Sequence, residues 1–161
     1  MSQTLPLFAR EKQVIVPCYS VRLVHDSLHR YDGRRLHGAS AVRDFLQDIG
    51  LQDKAVEEFH ILYLNTKNQV IGMEMVSKGT LNASLVHPRE VFKGALLANA
   101  NALILAHNHP SGDVEPSTAD KQVTDTLVAA GKLMNVNIID HVIIGASGRY
   151  FSFSEASMID K

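Results

Sequence analysis

At 161 residues, with 45% hydrophobic and 20% charged residues, the chain has the balance of one globular domain; this excludes a disordered polyelectrolyte and a pair of domains of ordinary size. Lys and Arg total 16 against 17 Asp and Glu, a formal net charge of −1, so no positive excess recommends a nucleic-acid backbone as partner. Cys18 is the only cysteine, which excludes an internal disulfide and thiolate-rich zinc patterns, so any metal site must draw on His and carboxylates.

Residues Met1 to Lys12 carry Arg10, Glu11 and Lys12 and no long apolar stretch, matching neither a signal peptide nor a membrane span, and the expected location is cytoplasmic. Val14 to Val24 alternates loosely and is predicted as an edge strand, with Cys18 in a packing role. His25 to Gly38, with His25, His29 and His37, reads as a solvated loop. Residues 1–39 are thus an arm, edge strand and loop, and the domain proper runs over 40–161.

Ser40 is predicted to cap a helix with Val42, Phe45, Leu46 and Ile49 on its buried face and Gly50 as the left-handed stop. Phe59 to Leu64 and Gln69 to Met73, joined by Asn65-Thr66-Lys67-Asn68, read as a β-hairpin. Pro88 suits the first turn of a helix whose apolar face is Val91, Phe92, Ala95, Leu96 and Ala98. Ala102 to Ala106 is predicted as a buried strand and His107 to Pro116 as a loop. Ser117 to Met134 follows as a long helix with Val123, Leu127, Val128 and Leu133 inward, then Val136 to Ile144 and Tyr150 to Phe153 as strands. The sum is an α/β chain with a mixed sheet and helices packed on it.

The chemistry concentrates between Ala106 and Asp120. In extended backbone, residues two apart project to one side, so His107 and His109 can offer two imidazoles to one point. Ser117 and Asp120 have the spacing of a capping box, which puts Asp120 in the first turn of a helix, and Pro110, Gly112 and Pro116 can turn the chain back on itself. Two imidazoles and a carboxylate suit a catalytic Zn²⁺, which takes three protein ligands and keeps a position for water. Each piece alone has a bland reading, a helix N-terminus or a polar strand end; together, in this order, they are much harder to dismiss.

His107-x-His109-x₇-Ser117-x₂-Asp120 resembles the JAMM motif of zinc-dependent peptidases and isopeptidases of the MPN-plus family. With Leu62 to Asn68, Gly79-Thr80-Leu81-Asn82, Val86 to Val91, His107 to Gly112 and Asp140-His141, the chain is similar to the RadC-like proteins of bacteria from about Ser40 onward. The resemblance implies a mixed sheet of the cytidine-deaminase-like, MPN type in a single JAB domain, with one Zn²⁺ held by His107, His109 and Asp120. It implies that Ser117 hydrogen-bonds an oxyanion, a role that stands beside that of helix cap. It also implies a general base just before an apolar strand, for which Glu58 fits and Glu57 is the rival, since a slip of one residue turns the side chain to the opposite face. Glu90 and Glu115 read as solvated charges and His87 as a residue leading into its helix. His141 is a candidate for supporting the site, and His60 for a place near the base.

The expected activity is hydrolysis of an amide or isopeptide bond, with a peptide or isopeptide-linked protein as substrate. The alternatives are a DNA-repair association, which the near-zero net charge does not favour, and a non-catalytic interaction module in which zinc staples a loop.

Overall fold

The computed structural model describes residue 20 and residues 22–24, 26–29, 32–33, 35–79 and 86–159. Cys18, His25, residues 14–19 and 21 of the predicted edge strand, and residues 80–82 lie outside the described residues; residues 20 and 22–24 are in no strand. The elements in chain order are helix α1 (Ala39–Asp48), strands β1 (Glu58–Leu64) and β2 (Val70–Lys78), helix α2 (Pro88–Leu97), strand β3 (Ala102–His109), helix α3 (Thr118–Met134) and strands β4 (Asn137–Gly145) and β5 (Tyr150–Ser152). Short 3₁₀ turns follow α1 at Leu51–Asp53 and β4 at Ala146–Gly148.

One mixed sheet of order β2-β1-β3-β4-β5 forms the centre, with β3 and β4 parallel and every other neighbouring pair antiparallel. The β1–β2 hairpin needs only a tight turn, in which Asn68 takes φ 56, whereas the parallel step from β3 to β4 needs a crossover, supplied by α3. All seven residues of β1 are buried, as a strand covered on both faces requires. Its alternate residues feed two cores. Phe59, Ile61 and Tyr63 join Leu103, Leu105 and Ile143 beneath Val91, Phe92, Val123 and Leu127 of α2 and α3, while Leu62 and Leu64 join Ile104, Ala106, Val142 and Ile144 beneath Val42, Phe45 and Leu46 of α1. The architecture is therefore three layers: helix, sheet, helices. Among the described residues no helix is long and apolar enough to cross a membrane.

Most predicted elements stand within a few residues of their expected ends, and Gly50 has the left-handed conformation with φ 71. Four expectations are corrected. Helix α1 is capped at Gly38, and Ser40 lies inside its first turn. Strand β3 does not stop at Ala106 but pairs with β4 as far as His109, so the two histidines belong to the sheet and not to a loop. Leu133 is 88% exposed: ten residues beyond Val123 at about 100° per residue, it sits roughly 80° round from the buried stripe of α3. Leu96 of α2 also faces solvent.

Candidate metal centre

The C-terminal end of β3 delivers His107 and His109 on the face toward α3. His107 lies opposite Phe59 of β1 and Ile143 of β4, and is fully buried. Phe59 covers one side of its ring, centroids 5.9 Å apart and nearly parallel. Beyond His109 the chain turns back through Gly112, whose φ of 78 suits glycine, and Arg149 donates to the Gly112 carbonyl at 2.7 Å. His109 Nδ1 donates to the Asp113 carbonyl at 2.6 Å, a bond possible only if Nδ1 carries a proton, so the ring presents Nε2 to the site.

Ser117 caps α3 as the sequence predicts. Its Oγ accepts from the Asp120 N–H at 3.1 Å while Asp120 Oδ2 accepts from the Ser117 N–H at 2.7 Å, a complete capping box. The box consumes one carboxylate oxygen and leaves the other. Asp120 Oδ1 is buried, has no hydrogen-bond partner and lies 3.3 Å from His107 Nε2. His107 Nε2 and His109 Nε2 are 3.0 Å apart, and His109 Nε2 is 3.7 Å from Asp120 Oδ2. Ligand atoms at tetrahedral angles about 2.0–2.1 Å from a metal stand about 3.3 Å from each other. An orphaned buried carboxylate oxygen facing two imidazole nitrogens at such spacings fits a divalent cation. Burial pushes the Asp120 carboxyl up, but the neighbouring His107 and His109, together with the bond from Ser117, outweigh it and hold the group well below the usual carboxylate range. Asp120 beside His109 raises that imidazole against the opposing effect of burial.

A fourth group stands with these three, and it is Glu57. Among the described residues Glu57, His107, His109 and Asp120 each offer one ligand atom, all within 4.8 Å of one another. Glu57 Oε1 lies 3.9 Å from His107 Nε2. Glu58 points elsewhere: strand alternation sends it to the α1 face, where its carboxylate meets Lys78 Nζ at 3.0 Å and His60 Nε2 at 3.2 Å. Burial raises the Glu58 carboxyl, and the bonds from Lys78 and His60 overcome it to leave the group below its ordinary value. The expectation that placed Glu58 at the metal is corrected to Glu57, for the reason that made Glu57 the rival: β1 has the opposite parity. His60 does sit beside Glu58, as expected, but that pair lies away from the cluster.

Two other residues shape the site. Asn108, between the histidines, faces the α1 side and is fully buried; its Oδ1 accepts from the Glu58 N–H at 2.8 Å and its Nδ2 donates to the carbonyls of Lys54 and Val56 at 3.2 and 3.1 Å. It therefore grips the chain on both sides of Glu57. His141 of β4 lies behind His107, its Nε2 2.8 Å from His107 Nδ1, with the Phe153 ring stacked on it at 4.7 Å. Complete burial, and then the neighbouring His107, holds the His141 imidazole well below the usual histidine range. Asp140, the neighbour of His141, turns away to accept from Ser152 Oγ and the Ser154 N–H. Asn108 was not singled out in the sequence, although its place between two like-facing histidines puts it on the reverse face by alternation.

Residues 36–158 match the family of the RadC-like JAB domain. A UPF0758 protein of Pelodictyon phaeoclathratiforme is 52% identical over 121 residues, 74% of this chain and 54% of its own. A UPF0758 protein of Chlorobium phaeovibrioides is 49% identical over 130 residues, 81% of this chain and 57% of its own, and one of Methanosarcina acetivorans is 51% identical over 109 residues, 68% and 47%. The chain spans about half the length of the curated relatives it matches, and their names state no activity. Carrying that domain over most of its length, the chain belongs to the RadC-like JAB domain family.

Proposed function

We propose that this domain is a zinc-dependent hydrolase of amide or isopeptide bonds. The observation that carries the reading is the convergence of two histidine Nε2 atoms and the unpartnered, buried Asp120 Oδ1, with one further carboxylate, Glu57, beside them. A donor set of two nitrogens and one oxygen suits zinc in a catalytic site, whereas structural sites are usually closed by four protein ligands and rich in thiolate. His107, His109 and Asp120 would hold the ion. When bound there, zinc supplies Lewis acidity and a water whose pKa is lowered toward neutrality.

The chain's own residues then divide the remaining work. Glu57 stands at the rim of the cluster, its side chain 20% exposed, so it reaches both the donor atoms and solvent. In this role its carboxylate takes a proton from the attacking water and returns it to the leaving nitrogen. The Ser117 oxygen is engaged by the Asp120 N–H, which leaves the hydroxyl proton free to point at a developing oxyanion. Phe59 and His141 pack against the buried side of His107, with Phe153 stacked on His141 behind them, and keep water from it.

Glu57 also favours a second reading, in which it is a fourth ligand that closes the site and makes the domain a non-catalytic module. The deciding experiment incubates the zinc-loaded protein with peptide and isopeptide-linked substrates, with a chelated control. Cleavage that disappears on chelation and returns with zinc supports the hydrolase; no cleavage of any of them, with zinc bound and its affinity lost in Glu57→Gln, establishes the closed site.

A further inference from the structure

Behind the cluster lies a buried chain of polar groups. Thr124 of α3 stands one turn after Asp120, and its hydroxyl lies 2.6 Å from the Asp120 carbonyl. The same hydroxyl oxygen is 2.6 Å from His141 Nδ1, and His141 Nε2 is 2.8 Å from His107 Nδ1. Thr124 is 1% exposed and His107 and His141 are fully buried, so no solvent enters to offer other partners.

The direction of every proton follows. A carbonyl oxygen can only accept, so the Thr124 hydroxyl donates its one proton to Asp120 and can only accept from His141. His141 Nδ1 therefore carries a proton. A fully buried imidazole between aromatic rings is neutral, so its Nε2 is bare and accepts from His107 Nδ1–H. His107, holding its proton on Nδ1, is left with an unprotonated Nε2 facing His109 and Asp120. We infer that Thr124 and His141 are positioning residues, which set the tautomer of His107 and aim a free nitrogen lone pair into the cluster. The chain begins on the backbone of Asp120 and ends on His107, so it ties together two of the three donors from behind, through α3 and β4. Its importance for metal affinity rests on the zinc reading above; the tautomers themselves do not.

The test is nitrogen NMR of the histidine rings in ¹⁵N-labelled, metal-free protein, combined with zinc competition titration. Both His107 and His141 are expected as Nδ1–H tautomers. Thr124→Val, which keeps the shape and removes the hydroxyl, is expected to shift His141 toward Nε2–H and to weaken zinc binding about 10- to 100-fold, and Thr124→Ser to restore both. A protein that shows the two Nδ1–H tautomers yet binds no zinc upholds the chain and refutes the zinc reading. A wild-type His141 protonated on Nε2, or a Thr124→Val protein with unchanged tautomers and affinity, overturns the inference. The wild-type spectrum decides the tautomers even if Thr124→Val does not fold.

Discussion

The side-chain oxygen of Asn108 accepts the backbone N–H of Glu58 at 2.8 Å, and this bond sets which of two adjacent glutamates faces the histidines. With Asn108 also holding the carbonyls of Lys54 and Val56, the backbone is fixed before and after Glu57. Asn108→Ala leaves the buried Glu58 N–H without its partner and frees the more exposed carbonyls of Lys54 and Val56, and is expected to cost on the order of 2 kcal/mol of stability. Because the donor atoms come from β3 and α3, the same variant should keep its zinc and lose turnover. Chemical denaturation, zinc analysis and a substrate assay on one preparation check the three effects together.

The two glutamates are separable. Glu57→Gln is expected to retain zinc and to lower turnover about 100-fold or more, the range of a lost general base. Glu58→Gln removes the charge that faces Lys78 and His60 while keeping a side-chain oxygen for them to bond, and turnover should survive. Paired rate measurements decide the assignment: a slow Glu58→Gln enzyme beside an active Glu57→Gln enzyme would reverse it.

Ser117 has two roles that different substitutions divide. Ser117→Ala removes the cap of α3 and is expected to cost about 1 kcal/mol, whereas Ser117→Asn preserves a capping oxygen and most of that stability. If the hydroxyl also serves the oxyanion, the asparagine variant melts like the parent and turns over slowly. Normal turnover in that variant would leave Ser117 as a cap alone.

Stability of the metal-free protein should fall on acidification. Burial holds His60, and His141 more strongly, below the ordinary histidine value of 6.5, so below that pH the unfolded chain binds protons that the folded chain refuses. Their contribution is complete above 6.5 and is lost as the pH falls from there toward their folded values. Glu58, also lowered, adds a loss at more acidic pH, below its ordinary 4.5. His109 is raised and acts in the opposite sense, stabilising at low pH, but it stands against two lowered histidines. Thermal melts from about pH 7.5 to about pH 5.5 should show a falling midpoint, and His60→Gln a shallower fall.

The cluster of His107, His109 and Asp120 is legible in the sequence because each part rests on a local rule. His107 and His109 share a face by strand alternation, and Ser117 with Asp120 forms a capping box whose two members find each other within one turn. The choice between Glu57 and Glu58 is not local, since the parity of β1 is set by its pairing of Phe59 with His107 and by the Asn108 brace, both contacts between segments about fifty residues apart. The partnership of Thr124 with His141 is hidden in the sequence for the same reason: a threonine on a helix and a histidine on the next strand meet only when α3 is laid on the sheet. Gly38 in place of Ser40 as the cap of α1 shows the limit of a local rule, because Ser40 has the right chemistry two positions late.

The central claim is that His107, His109 and Asp120 form one metal site, and elemental analysis of purified protein tests it most directly. With zinc supplied and excess removed, the parent should hold about one zinc per chain, and His107→Ala and Asp120→Ala little or none. A parent that takes up no zinc, or variants that hold it as well as the parent does, would contradict the account.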